Sequence, residues 1–67
     1  MLVKHESRKR ITYENIELIK PQHREEMHQD LENRTGIKIS RFEVGKINFL
    51  RDSAEVKIFF YEDEQMN

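Results

Sequence analysis

Apolar residues follow one rhythm at the two ends of this chain and another in its middle, so the pattern predicts strands interrupted by a helix. From Arg10 to Ile19, Ile11 and Tyr13 alternate, and then Ile16 and Leu18 alternate on the opposite parity. Side chains of a strand switch faces at every residue, so this spacing predicts a strand with a bulge or bend at Glu14-Asn15. Pro21 follows and suits a first helical position, where its missing N–H has no intrahelical partner. Gly36 closes Asp30-Leu31-Glu32-Asn33-Arg34-Thr35, the natural place for a left-handed C-terminal cap. Between them a helix is expected, with Met27 and Leu31 one turn apart and Arg24 and Thr35 continuing the stripe. Two apolar anchors make a narrow stripe, so the helix needs a sheet to pack on.

After Gly36, Ile37 and Ile39 alternate, then Phe42 and Val44 on the other parity, then Gly45, then Ile47 and Phe49. This predicts one long, irregular strand with Gly45 at an irregularity. Leu50-Arg51-Asp52-Ser53 reads as a hairpin connection. Ala54, Val56, Ile58 and Phe60 then alternate strictly, with Phe59 and Tyr61 on the opposite face, as a central strand would show. The order β-α-β-β gives an α+β fold. A right-handed crossover sets the first two strands parallel, and the last strand enters the gap between them antiparallel. The expected sheet is therefore three-stranded and mixed, in the order 1-3-2, with one helix covering one face. Phe59 and Tyr61 would lie uncovered on the other face, where an apolar patch marks an interface. A homodimer through the sheet follows as the expected assembly.

Composition sharpens this picture. Hydrophobic residues make up 36% of the 67 and charged residues 37%, which leaves a thin core under a densely charged surface. A core this small supplies on the order of 3–5 kcal/mol, so self-association is the expected source of further burial. Cysteine is absent, which removes disulfides, thiolate metal sites and thiol chemistry. The net charge of -1 sets up no global field toward nucleic acid. Charge is nonetheless uneven: Lys4, Arg8, Lys9 and Arg10 crowd the start, and Glu62-Asp63-Glu64 the end. Residues 1–9 are expected to be a flexible basic arm, 10–62 the folded domain and 63–67 a disordered acidic tail. No apolar run approaches the roughly 20 residues of a membrane span, and no signal peptide is visible, so a soluble domain is expected.

Candidate chemistry is sparse. His23 and His28 are five residues apart and diverge by about 140° on a helix, unlike the one-sided pair of a zinc helix. They are expected to be solvated. Ser7, Ser40 and Ser53 have no glycine-framed elbow, and Gly36 and Gly45 are the only glycines, so no phosphate-cradling loop exists. No catalytic residue, metal or cofactor is expected, and the chain is read as a non-enzyme. Phe59 and Tyr61 on an open sheet invite comparison with single-strand RNA binders, which stack bases on such rings. The acidic tail and the lack of an RNP-type signature argue against nucleic acid. Arg51 and Asp52, in the connection before the last strand, complete the candidate interaction residues, with Asp52 expected to accept backbone N–H groups there.

Two segments carry a family resemblance: Glu32-Asn33-Arg34-Thr35-Gly36-Ile37-Lys38-Ile39, and the stretch from Val44 through Asn48-Phe49-Leu50-Arg51-Asp52-Ser53-Ala54 to Ile58. They resemble the C-terminal tails of a family of bacterial multi-spanning membrane proteins of unknown function. Those tails show an E-R-T-G helix end and a D-F-L-R-D-T-A turn. Here Asn33 is inserted in the first, and Asn48 and Ser53 stand in place of the Asp and the Thr of the second. Arg10 to Ile19 is similar to the family's strand leading into the helix. The resemblance implies an interaction, assembly or regulatory domain on the cytoplasmic side of the bacterial inner membrane. It also implies relatives encoded near proteins resembling polyphosphate polymerases. In that setting Lys4, Arg8, Lys9 and Arg10 would obey the positive-inside rule and face anionic head groups. The other reading is a small nucleic-acid or polyanion binder using the open sheet face and the basic arm.

Overall fold

The computed structural model describes residues 5–65. Its elements run β1 (Glu6–Tyr13), α1 (Arg24–Thr35), β2 (Arg41–Asn48) and β3 (Ser53–Tyr61), with short 3-10 turns at Ile16–Ile19, Pro21–His23 and Glu62–Glu64. The sheet order is β1-β3-β2, as the alternation of the last strand implied. Both neighbouring pairs are antiparallel. β1 and β2 do point the same way, but β3 separates them, so the sheet is antiparallel throughout and not mixed.

The first strand starts and ends earlier than expected. β3 is long enough to pair from Glu6, opposite Tyr61, to Tyr13, opposite Ala54. That pairing draws residues 6–9 of the expected arm into the sheet. The parity change at Glu14-Asn15 is the end of the strand: the Ile16 N–H donates to the Glu14 carbonyl (3.0 Å) and the Leu18 N–H to that of Asn15 (3.1 Å). The 3-10 turn that follows turns Leu18 and Ile19 onto the core.

Helix α1 follows a 3-10 turn that begins at Pro21, and it stops at Gly36. Gly36 has φ 71°, and its N–H donates to the Glu32 carbonyl at 2.8 Å. Met27 and Leu31 are its buried residues. They meet Tyr13, Ile39, Phe42, Val56 and Ile58 in the core between helix and sheet. The Tyr13 hydroxyl donates to Asp30 Oδ2 at 2.5 Å, and Arg34 Nε donates to the same oxygen at 3.0 Å. Burial and then the Asp30 carboxylate push the Tyr13 phenol well above its ordinary range.

Ile37 and Ile39 lie outside the sheet, because helix side chains occupy backbone groups that a ladder would use. The Ile39 N–H donates to Glu32 Oε2 (2.7 Å), and His28 Nε2 donates to the Ile39 carbonyl (2.8 Å). β2 therefore begins at Arg41. Its register against β3 shifts between Val44 and Ile47, so Gly45 does sit in a bulge. A Cβ there would lie 3.4 Å from the Glu55 carbonyl oxygen. At the other end Gln65 is tied back: its Oε1 accepts the Lys38 N–H (2.7 Å) and its Nε2 donates to the Tyr61 carbonyl (2.9 Å). The chain is thus anchored through Gln65, two residues beyond the start of the expected tail. Lys4, Met66 and Asn67 lie outside the described residues.

Candidate functional site

The helix lies on the side of the sheet that carries Tyr13, Phe42, Val56 and Ile58, and the side chains between them form the opposite face. Register orders that face into rows across β1, β3 and β2. Glu6 stands opposite Tyr61; Arg8, Phe59 and Arg41 form the next row; Arg10, Lys57 and Glu43 the next; Thr12 stands opposite Glu55.

Phe59 was expected to be open and is 6% exposed. Its cover is a side chain and not a helix. The Arg41 guanidinium carbon lies 3.7 Å from the Phe59 ring centroid. Arg41 is held there by Glu6 on the far strand, with Nη2 to Oε1 at 3.0 Å, and by Glu43 Oε2 at 3.2 Å. Ser40 Oγ donates to Glu6 Oε2 at 2.9 Å. Arg41 and then Ser40 hold the Glu6 carboxyl below the usual carboxylate range, and Glu6 in turn pushes Arg41 up. One arginine thus bridges both edge strands over the aromatic of the central strand.

Arg8, Arg10 and Lys57 are different. Arg10 and Lys57 are directly opposite each other, and like charges in that position repel. With Arg8 and Lys9 they line a depression of about 240 Å³. Lys9 is on the other parity, opposite Ile58, so the basic run is split between the two faces. Tyr61 is half-buried beside this edge.

Arg51 and Asp52 are not part of this face's centre. They sit in the β2–β3 turn, about 20 Å along β3 from Phe59 at strand rise. The side chain that accepts a backbone N–H there is Asn48, whose Oδ1 takes that of Arg51 at 3.1 Å. Asp52 contributes a left-handed backbone, φ 51°, the only non-glycine among the described residues to do so. The two residues before Arg51 are the most exposed large apolar side chains described, Phe49 at 76% and Leu50 at 93%. Lys46 and Arg51 line one depression with Thr12 and Glu55, on the helix-free side.

Of the residues singled out in the sequence, Phe59, Tyr61, Arg8 and Arg10 lie on the helix-free face; Arg41 and Lys57 on the same face, and Phe49 and Leu50 in the turn, were not singled out. A signal for Arg41 and Lys57 existed in their parity, opposite to Phe42 and to Val56. Phe49-Leu50, two adjacent apolar residues beside a turn, could have been read as exposed. The histidines do separate work: His23 Nδ1 lies 2.9 Å from Glu26 Oε1, while His28 stacks on Phe42. Among the described residues no three His, Cys, Asp or Glu side chains converge as a metal set, and no helix is long and apolar enough to cross a membrane.

With this geometry in place, a family model described as Domain of unknown function (DUF4956) matches residues 1–60. The chain belongs to that family. The match takes in β1, α1, β2 and nearly all of β3. No curated protein and no solved structure matches it at a significant level.

Proposed function

We propose that this DUF4956 domain is a non-catalytic interaction and assembly module of a bacterial membrane protein, held on the cytoplasmic side, that joins copies through its sheet. One observation carries the reading: among the described residues the three-stranded sheet has a helix on one face only, and β1 and β2 form its two edges with no further strand beside them. Unpaired edges are templates for further strands, and two-fold pairing is the commonest way to use them. The membrane setting rests on the resemblance to the C-terminal tails of multi-spanning proteins. Amide hydrogen exchange of the full chain, dilute against concentrated, tests the reading. Protection that rises with concentration along β1 or β2 supports it, and identical exchange at both concentrations overturns it.

A second reading has its own observation. Arg8, Lys9, Arg10 and Lys57 line one depression at the β1 edge, on the side of Lys57 away from Glu43, where an anion would meet several cations. On that reading the domain binds a polyanion on the helix-free face. Electrophoretic mobility with RNA and with polyphosphate tests it: retardation that Lys57→Gln abolishes supports it, and unchanged mobility with both overturns it.

A further inference from the structure

We infer that copies of this chain pair through β1, and that a multivalent anion seated among Arg8, Lys9, Arg10 and Lys57 of both copies strengthens the pairing. The inference rests on sheet-mediated assembly and on the anion reading of that depression, and it couples the two. The edges of the sheet are not equivalent. β1 pairs with β3 without a break from Glu6 to Tyr13, so its outer side is a regular template eight residues long. β2 is interrupted by the register shift between Val44 and Ile47, and Arg24 Nη2 from α1 donates to its Phe42 carbonyl at 2.9 Å. The Arg24 guanidinium carbon also lies 4.3 Å from the Phe42 ring centroid, which fixes that side chain against β2.

β1 carries the obstacle to its own pairing. In the antiparallel register that matches all eight residues with a second copy, Lys9 and Arg10 stand opposite each other twice. A shift of one residue either way sets Lys9 against Lys9 or Arg10 against Arg10. Like charges directly opposite are destabilising. An anion offsets that cost, and each copy has a place for it. The depression of about 240 Å³ is lined by four cations and no carboxylate. Lys9 is on the opposite parity to Arg8 and Arg10 yet lines the same depression, which therefore opens at the strand edge. Of the nearby carboxylates, Glu6 and Glu43 are held by Arg41, and Glu55 stands a row away opposite Thr12. Glu62, Asp63 and Glu64 follow β3 beyond the Glu6 end of the strand. Lys57 decides between an anion site and an edge that is merely guarded. Cations on the edge strand alone keep copies apart, and Lys57, on the central strand, adds little to that. It does give an anion a fourth charged donor. When two β1 edges pair, the two depressions fall side by side, so one multivalent anion meets cations of both copies.

Sedimentation equilibrium and titration calorimetry of the whole 67-residue chain test the inference, with inorganic pyrophosphate against sodium chloride at matched ionic strength. Matching removes general screening from the comparison. The expected result is a heat of binding and a dimer association constant raised about tenfold or more by pyrophosphate. Lys57→Gln should weaken the response to pyrophosphate and leave association in chloride as it was. Lys9→Gln with Arg10→Gln should do the reverse, associating more tightly than the parent in chloride and no longer responding to pyrophosphate. None of the three side chains packs in the core, so the variants should keep the parent's thermal midpoint at low concentration. Binding heat with association that pyrophosphate leaves unchanged overturns the inference alone. No binding heat overturns the anion reading with it, and a monomer under every condition overturns sheet-mediated assembly with it. A rise that Lys57→Gln retains in full, or a Lys9→Gln, Arg10→Gln chain that associates no better than the parent in chloride, also overturns it. So does exchange protection that rises with concentration along β2 and not β1, which assigns assembly to the other edge.

Discussion

The Arg41 guanidinium carbon lies 3.7 Å from the Phe59 ring centroid, and this contact converts an aromatic on an uncovered sheet face into a buried residue. The planar guanidinium can lie over the ring and also present its N–H fork to Glu6. Arg41→Ala should therefore lower the thermal midpoint and raise the binding of a hydrophobic dye as Phe59 opens. Arg41→Lys should recover only part of the loss, because an ammonium cannot cover the ring and reach Glu6 together. Equal midpoints for the lysine variant and the parent would show that charge alone holds the row.

The same cluster gives an acid limb to stability. Arg41 and Ser40 depress the Glu6 carboxyl in the folded state, so its stabilisation is present above the unfolded-state value of about 4.3 and is lost as pH falls through the folded value. Urea midpoints of Glu6→Gln should vary less with pH below about 4.3 than those of the parent. Parallel acid limbs would contradict the assignment.

Tyr13 gives the alkaline counterpart. Its folded-state value is raised, by burial first and then by Asp30. The contribution is complete below the unfolded-state value of about 10 and is lost as pH rises from there through the folded value. Tyr13→Phe should flatten that limb, and at neutral pH it should cost on the order of 1–2 kcal/mol through the lost hydrogen bond to Asp30. An unchanged alkaline limb would place the titration elsewhere.

Gly36 isolates backbone strain. Its φ is 71° and an added Cβ would meet nothing within 4 Å, so Gly36→Ala costs only the left-handed penalty, about 1 kcal/mol. Gly36→Asn should cost less, since asparagine tolerates that region. A neutral Gly36→Ala in urea melts would mean that the helix ends at another residue.

The parts of this fold that were legible in the sequence are those set by local rules. Gly36 as a left-handed cap, Met27 and Leu31 as the helix's buried pair, Gly45 at an irregularity and the strict alternation of β3 all follow from neighbours in sequence. The start of β1 was not legible, because Glu6 to Arg10 carries no apolar residue and joins the sheet only because β3 is long enough to pair with it. Ile16 to Ile19 kept a strand-like alternation while forming a 3-10 turn, since a short apolar run satisfies either geometry. The helix-free face was legible as a parity, but its cover was not. Arg41 reaches Phe59 and Glu6 through pairings 18 and 35 residues apart, which no window of local sequence contains.

Sedimentation equilibrium of the chain over a wide concentration range tests the proposal that this sheet joins copies. The expected result is a weight-average mass that rises with concentration from the monomer's 8.2 kDa toward twice that value. A mass that stays at 8.2 kDa into the high micromolar range would contradict it.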